Sequence, residues 1–172
     1  MNIDDDILVR LTKIELFSDF SPLENGNNKR IVTELAQVLS MENFRAGDEI
    51  IKEGQIGDTL YILYEGKVQV LRNTLANEPF AVVNLSAEQN VFFGEIALID
   101  NDTRSASVKA VSDCKVLGLT GRDFIELCEK EKIFGYKVIL RIAIRLAQSL
   151  RRSTTDALTL FQALLDEVAG SS

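Results

Sequence analysis

Glycines stand at positions 47, 54, 57 and 66, and the segments around and after them, as far as Leu119, are short and β-rich. This is the feature that most restricts the fold. Glycine takes the positive φ that tight turns need, and several short strands at such spacing indicate an antiparallel sandwich or jelly-roll barrel. Thr59 to Tyr64 and Lys67 to Leu71 flank Glu65-Gly66, which reads as a two-residue hairpin turn. Ala106 to Val111 and Lys115 to Leu119 flank Ser112-Asp113 in the same way, and Phe80 to Leu85 is a further β-prone run.

Both ends have helical periodicity instead. Ile7, Leu8, Leu11, Ile14 and Phe17 recur at three and four, so residues 7–20 read as an amphipathic helix. Ser21-Pro22 and Asn25-Gly26-Asn27-Asn28 read as a loop, followed by a second helix from Lys29 to Leu39. Thr120-Gly121-Arg122-Asp123 is a capping box that opens a short helix from Asp123 to Lys132. After Gly135 a long run extends from Tyr136 to Val168. Ile139, Ala143, Leu146, Leu150, Ser153, Ala157, Leu160 and Leu164 form a heptad seam, which predicts helix pairing. Ser153-Thr154-Thr155-Asp156 is a capping signal inside that run, so a break near Ser153 stays open. The expected class is α+β: an antiparallel jelly-roll barrel with N-terminal helices and a long C-terminal helix. Residues 1–40 are the helical lead-in, 41–119 the barrel core, and 120–172 the lid and dimerisation helices.

Composition removes several function classes. The chain has no histidine, which excludes imidazole catalysis and His-ligated metal centres, including those of cupin-type enzymes. No catalytic residue and no metal site are expected. The formal net charge of −7 lacks the basic footprint of a nucleic-acid binder, so no DNA partner is expected. Only Ala169 to Ser172 follow Val168, so no helix-turn-helix is expected within this chain. The acidic start, Asp4-Asp5-Asp6, is not a signal peptide, and no apolar run is long enough to span a membrane. Two isolated cysteines, Cys114 and Cys128, read as free thiols of a cytoplasmic protein.

One stretch carries chemistry. Phe93-Gly94-Glu95-Ile96-Ala97-Leu98 is followed, five residues on, by Arg104-Ser105-Ala106. Gly94 lets a backbone approach a ligand closely. N–H groups from Glu95 to Leu98, opening a short helix, would point at an anion. Arg104 is the sole basic residue between Arg72 and Lys109, and its planar fork suits a phosphodiester. The bland alternative is a plain Glu95–Arg104 ion pair on an exposed loop.

This pattern resembles the phosphate-binding cassette of the cyclic-nucleotide-binding domain family. Further likeness lies in Phe44-x-x-Gly47-Asp48-x-Ile50, in Glu53-Gly54-x-x-Gly57-Asp58-x-Leu60-Tyr61, and in Gly66-x-Val68-x-Val70. Asn90 stands where the family often has glycine, and Thr103 where its kinase branch often has proline. The resemblance implies that Arg104 takes the phosphate and Glu95 the ribose hydroxyl. Gly94, Ile96 and Ala97 would make backbone contacts, with Ser105 and Ala106 completing the cassette. Leu150-Arg151-Arg152-Ser153-Thr154 is similar to the dimer helix of the family's catabolite activators, which makes Ser153 and Thr154 candidate base contacts. The implied ligand is cAMP ahead of cGMP, and the implied partners are a second copy of the chain and an unnamed downstream protein. The alternative is a vestigial fold of this kind that serves as a protein-interaction module without nucleotide.

Overall fold

The computed structural model describes residues 5–21, 26–74, 78–100 and 102–170. Among them are four α-helices, α1 (Asp5–Lys13), α2 (Gly26–Val38), α3 (Gly121–Lys130) and α4 (Lys132–Gly170). The strands are β1 (Ser40–Phe44), β2 (Glu49–Ile51), β3 (Thr59–Glu65), β4 (Lys67–Asn73), β5 (Pro79–Ser86), β6 (Phe92–Phe93), β7 (Ser107–Ala110) and β8 (Cys114–Thr120). Two four-stranded sheets form, in the orders β1-β8-β3-β6 and β2-β7-β4-β5. All observed pairings are antiparallel. The chain divides into two compact units, 1–138 and 139–172.

The barrel core contains Ile51, Leu63, Val68, Phe93, Val108, Ala110, Cys114 and Val116. Tyr61 packs against it, while the alternate residues Leu60 and Ile62 are wholly buried too. Strand β3 is thus covered on both faces, which is why its sequence TLYILY shows no clean polar alternation. A second apolar cluster centres on Phe134, which is fully buried. Its ring lies 6.0 Å from that of Phe17, 5.2 Å from Phe20 and 6.4 Å from Phe124. The Thr120 cap is as expected, with its hydroxyl oxygen accepting from Asp123 N at 3.1 Å, but the helix it caps runs from Gly121 to Lys130 rather than from Asp123 to Lys132, because a cap precedes the first helical residue directly.

Both turns read as hairpins do something else. Strand β3 lies in one sheet and β4 in the other, so Glu65-Gly66 is a corner between sheets. Strands β7 and β8 part company in the same manner across Ser112-Asp113. The two corners are stacked. Gly66 has φ +94, and a Cβ there would sit 2.7 Å from the Cys114 sulfur. Val111 N donates to Lys67 O at 2.8 Å, and Lys67 N donates to the Ser112 hydroxyl at 3.0 Å. Strands β3–β4 and β7–β8 therefore make one long two-stranded ribbon that folds over at a shared corner. Among these strands, β4 and β5 make the hairpin between sequence neighbours.

The helical ends differ from expectation in three places. The first helix stops at Lys13, and Glu15–Phe17 form a 3-10 turn. A continuous helix would place Leu16 off the apolar stripe, whereas the bend buries Ile14, Leu16, Phe17 and Phe20 together. Gly26–Asn28 is the first turn of α2 rather than loop, while residues 22–25 of the expected loop lie outside the described set. Helix α4 begins at Lys132 and runs unbroken through Ser153. Thr154 and Thr155 hydroxyls donate to the carbonyls of Leu150 and Arg151 at 2.9 and 3.1 Å, so they serve the helix interior and do not cap a new start. No described helix is long and apolar enough to cross a membrane.

Candidate functional site

Strand β6 ends at Phe93, and the next residue, Gly94, has a φ of 77° and ψ of 20° that put it in the left-handed region. The chain then makes a 3-10 turn over Glu95–Leu98, closed by Ala97 N donating to Gly94 O at 3.3 Å. Ala97 and Leu98 are buried, whereas Glu95 and Ile96 are half-buried. A helical turn begins with N–H groups that lack partners inside the turn, so this geometry offers donors to an anion. Asn101, within the spacer, lies outside the described residues.

Arg104 is tied to a loop far upstream. Its N donates to Gln55 O at 2.8 Å and its carbonyl accepts from Gly54 N at 2.9 Å. The side chain crosses Gly57, where a Cβ would lie 2.6 Å from Nε. The guanidinium then donates from Nη2 to Thr59 O at 2.7 Å and from Nη1 to Gly94 O at 3.3 Å. A Cβ on Gly94 would come within 2.7 Å of Nη1. Two glycines thus make the slot that the cation occupies.

Arg104 is half-buried, which corrects the expectation of an exposed loop arginine. Burial pulls the guanidinium below its ordinary pKa, while Tyr61, Asp58 and Asp100 act in the opposite direction. Neither aspartate hydrogen-bonds to it. Asp58 Oδ1 accepts from the Thr59 hydroxyl at 3.0 Å, and Asp100 Oδ1 accepts from Asp102 N at 3.3 Å. The hydrogen bonds placed on Arg104 therefore go to neutral carbonyls. Carbonyl dipoles solvate a cation but do not neutralise it, and a partly desolvated charge favours an anion. Beside it, burial raises the Tyr61 phenol, and the Tyr61 ring stands 5.8 Å from that of Phe93.

The structure thus brings Gly94, Glu95, Ile96 and Ala97 together with Arg104. Ser105 follows, exposed, and Ala106 is half-buried. Ser153 and Thr154 are exposed on the second compact unit, where the Thr154 hydroxyl is engaged by its own helix.

Two features escaped the sequence. Gly57 does not take the positive φ expected of it; it gives Arg104 room instead, and no local pattern signals that. Asn90 takes φ 51 as anticipated, yet it also accepts from Arg10 Nη1 at 3.0 Å. Arg10 further donates to the carbonyls of Ala87 and Tyr64 and covers the Tyr64 ring at 5.5 Å. It thereby pins α1 to the segment that leads into the cassette.

The site is thus a glycine-hinged turn and a half-buried arginine set in an antiparallel barrel. Comparison with known proteins gives the family: residues 41–131 match the cyclic nucleotide-binding domain, and the chain belongs to that family. The cGMP-dependent protein kinase, isozyme 1, of Drosophila melanogaster is 32% identical over 66% of this chain and 16% of its own length. The cAMP-dependent protein kinase regulatory subunit of Emericella nidulans is 35% identical over 66% of this chain and 24% of its own length. The chain thus spans less than a quarter of these relatives. Among solved structures, a cyclic nucleotide-binding domain from Methylobacillus flagellatus superimposes with a TM-score of 0.71 at 26% identity, covering 90% of this chain and 82% of that one.

Proposed function

We propose that the chain is a regulatory sensor domain that binds a cyclic purine nucleotide and carries out no catalysis itself. The observation that carries this reading is Arg104: a half-buried guanidinium, slotted between Gly57 and Gly94, whose hydrogen bonds go to carbonyls. A phosphodiester brings the single negative charge such a group lacks. In this reading Arg104 takes the phosphate, Glu95 takes the ribose hydroxyl, and Gly94, Ile96 and Ala97 contribute backbone contacts. Ser105 and Ala106 flank the phosphate, and Ser153 and Thr154 stay the candidate base contacts. Ser105 points both ways, since a hydroxyl there favours guanine in some members of the family while the catabolite activators carry the same Arg-Ser-Ala run and answer to cAMP; the reading puts cAMP ahead of cGMP.

The ligand acts by binding one arrangement of the helices better than another, and an unnamed downstream protein reads that arrangement. From Ala143 to Ala169 no residue of α4 is buried, although Leu150, Leu160, Phe161, Leu164 and Val168 are apolar. A helix so exposed supports pairing with a second copy. Two free thiols, Cys114 and Cys128, fit a reducing cytoplasm.

Calorimetric titration of the full chain with cAMP and with cGMP tests the reading. A charge-assisted hydrogen bond contributes roughly 1.5–3 kcal/mol, and a tenfold change in affinity corresponds to about 1.4 kcal/mol. Arg104→Ala is therefore expected to weaken binding about ten- to a hundredfold. Arg104→Lys also binds worse, because a point charge does not reproduce the fork. Folded, ligand-free protein that gives no heat with either nucleotide at millimolar concentration leaves the vestigial alternative standing.

A further inference from the structure

The nucleotide reading leaves the receiving protein unnamed, and a groove in the first compact unit bears on its chemistry. A cleft of about 470 Å³ opens between the cassette turn and α3. One wall is Ala97, Leu98 and Ile99. The other is the outward stripe of α3, where Arg122, Ile125, Glu126 and Glu129 share a face by their spacing. The opposite stripe of α3, Phe124 and Leu127, is buried. Gly121 floors the cleft: its N donates to Asp58 O at 2.7 Å, and a Cβ there would lie 3.3 Å from that oxygen.

The groove combines exposed apolar surface with one sign of charge. Ile99 is 46% exposed and Ile125 53%. Asp58, Glu126 and Glu129 supply three carboxylates against one guanidinium, Arg122, a formal −2. That guanidinium is already engaged, with Nε 3.0 Å from Glu126 Oε1. Nucleic acid and anionic lipid are repelled by such a lining, whereas a cationic partner is attracted. Helix α3 has 10 residues, roughly 15 Å, enough to lie along two to three turns of another helix.

We propose that this groove docks a basic amphipathic helix of a partner protein. The partner's apolar stripe covers Ile99 and Ile125, and its lysines or arginines face Asp58, Glu126 and Glu129. The wall formed by residues 97–99 continues directly from Gly94–Ala97. Resting on the nucleotide reading, a partner seated here is linked reciprocally to occupancy of the cassette.

The test uses the full chain without nucleotide, so that it stands whether or not cAMP binds. The probe is a fluorescent peptide of about 18 residues, roughly 27 Å as a helix, with leucines on one face and lysines on the other. Anisotropy is expected to show saturable binding that weakens about tenfold or more in Glu126→Lys/Glu129→Lys and, separately, in Ile125→Ser. Glu88→Lys/Asp156→Lys, an equal charge reversal outside the groove, is expected to stay within about twofold of the parent. Equal weakening in that control, or equal binding of a scrambled peptide of the same composition, overturns the proposal, because net charge then accounts for the affinity. A drop in molecular mass of the peptide-free chain on Ile125→Ser also overturns it, because the occupant is then a second copy.

Discussion

At the scale of single residues, Arg104 and Gly57 form a pair that can be dissected. Gly57 has an ordinary φ, so alanine fits its backbone, and the conflict would be with the guanidinium 2.6 Å away. Gly57→Ala is therefore expected to weaken nucleotide binding about as much as losing one Arg104 hydrogen bond, roughly ten- to a hundredfold, with little change in melting temperature. Placed on Arg104→Ala, the same substitution should have no further effect, since the two act through one contact. Additive losses measured by calorimetry would show that Gly57 acts elsewhere. Cys128 offers a second residue-scale test. Burial pushes its thiol up to about 11 from an ordinary 9.0. The folded state thus retains the proton longer than the unfolded chain does. The stability it contributes is complete below about pH 9 and is lost as pH rises through about 11. Melting temperatures between those values should fall less steeply for Cys128→Ala than for the parent chain, and identical slopes would refute this linkage.

At the scale of elements, the shared corner governs the barrel. Gly66 holds φ +94 against the backbone of residues 113–114, so a side chain there meets both conformational strain and a clash. Gly66→Ala is expected to cost about 2–4 kcal/mol of unfolding free energy in urea, since a left-handed non-glycine residue costs about 1–3 kcal/mol before any clash. A loss under about 1 kcal/mol would mean that the two corners are not packed as described. Helix α3 illustrates the converse, where local chemistry suffices. Its cap, Thr120, stands in sequence three residues before Asp123 and bonds it in the structure. Its junction with α4 depends on packing instead. Gly135 lies where a Cβ would be 3.0 Å from the Cys128 sulfur, which permits the close junction between α3 and α4. A glycine that reads as a helix breaker is here a packing residue within the helix.

At the scale of the molecule, α4 carries a long run of exposed apolar side chains, from Leu150 to Val168. Its exposed leucines include Leu150 at 69%, Leu160 at 72% and Leu164 at 57%. Pairing of two chains along the seam from Ile139 to Leu164 would bury them. Light scattering at about 100 μM, where mass action favours association, is expected to give a dimer. Leu160→Glu/Leu164→Glu is expected to give a monomer, because charge in an interface core opposes association. A monomeric parent chain, or an unchanged mass in the variant, would remove the dimer from the proposed function while leaving the binding site untouched.

Residues close in sequence settled much of this protein. The helix cap at Thr120, the left-handed tolerance of Asn90, and the cassette from Phe93 to Leu98 with its arginine were all legible, because each depends on side chains a few positions apart. The sheet assignment of the strands was not. Glu65-Gly66 and Ser112-Asp113 have hairpin chemistry, but β3 already has β8 and β6 on its two edges, and β4 has β7 and β5. With both edges taken, the chain crosses between sheets instead. The same holds at the site. That Arg104 faces a phosphate was an inference from residue type and spacing, whereas its half-burial comes from Gly57, Thr59 and Gly94 converging from separate strands and turns. Desolvation and steric room are properties of what surrounds a group in space, and only the folded chain assembles that surrounding.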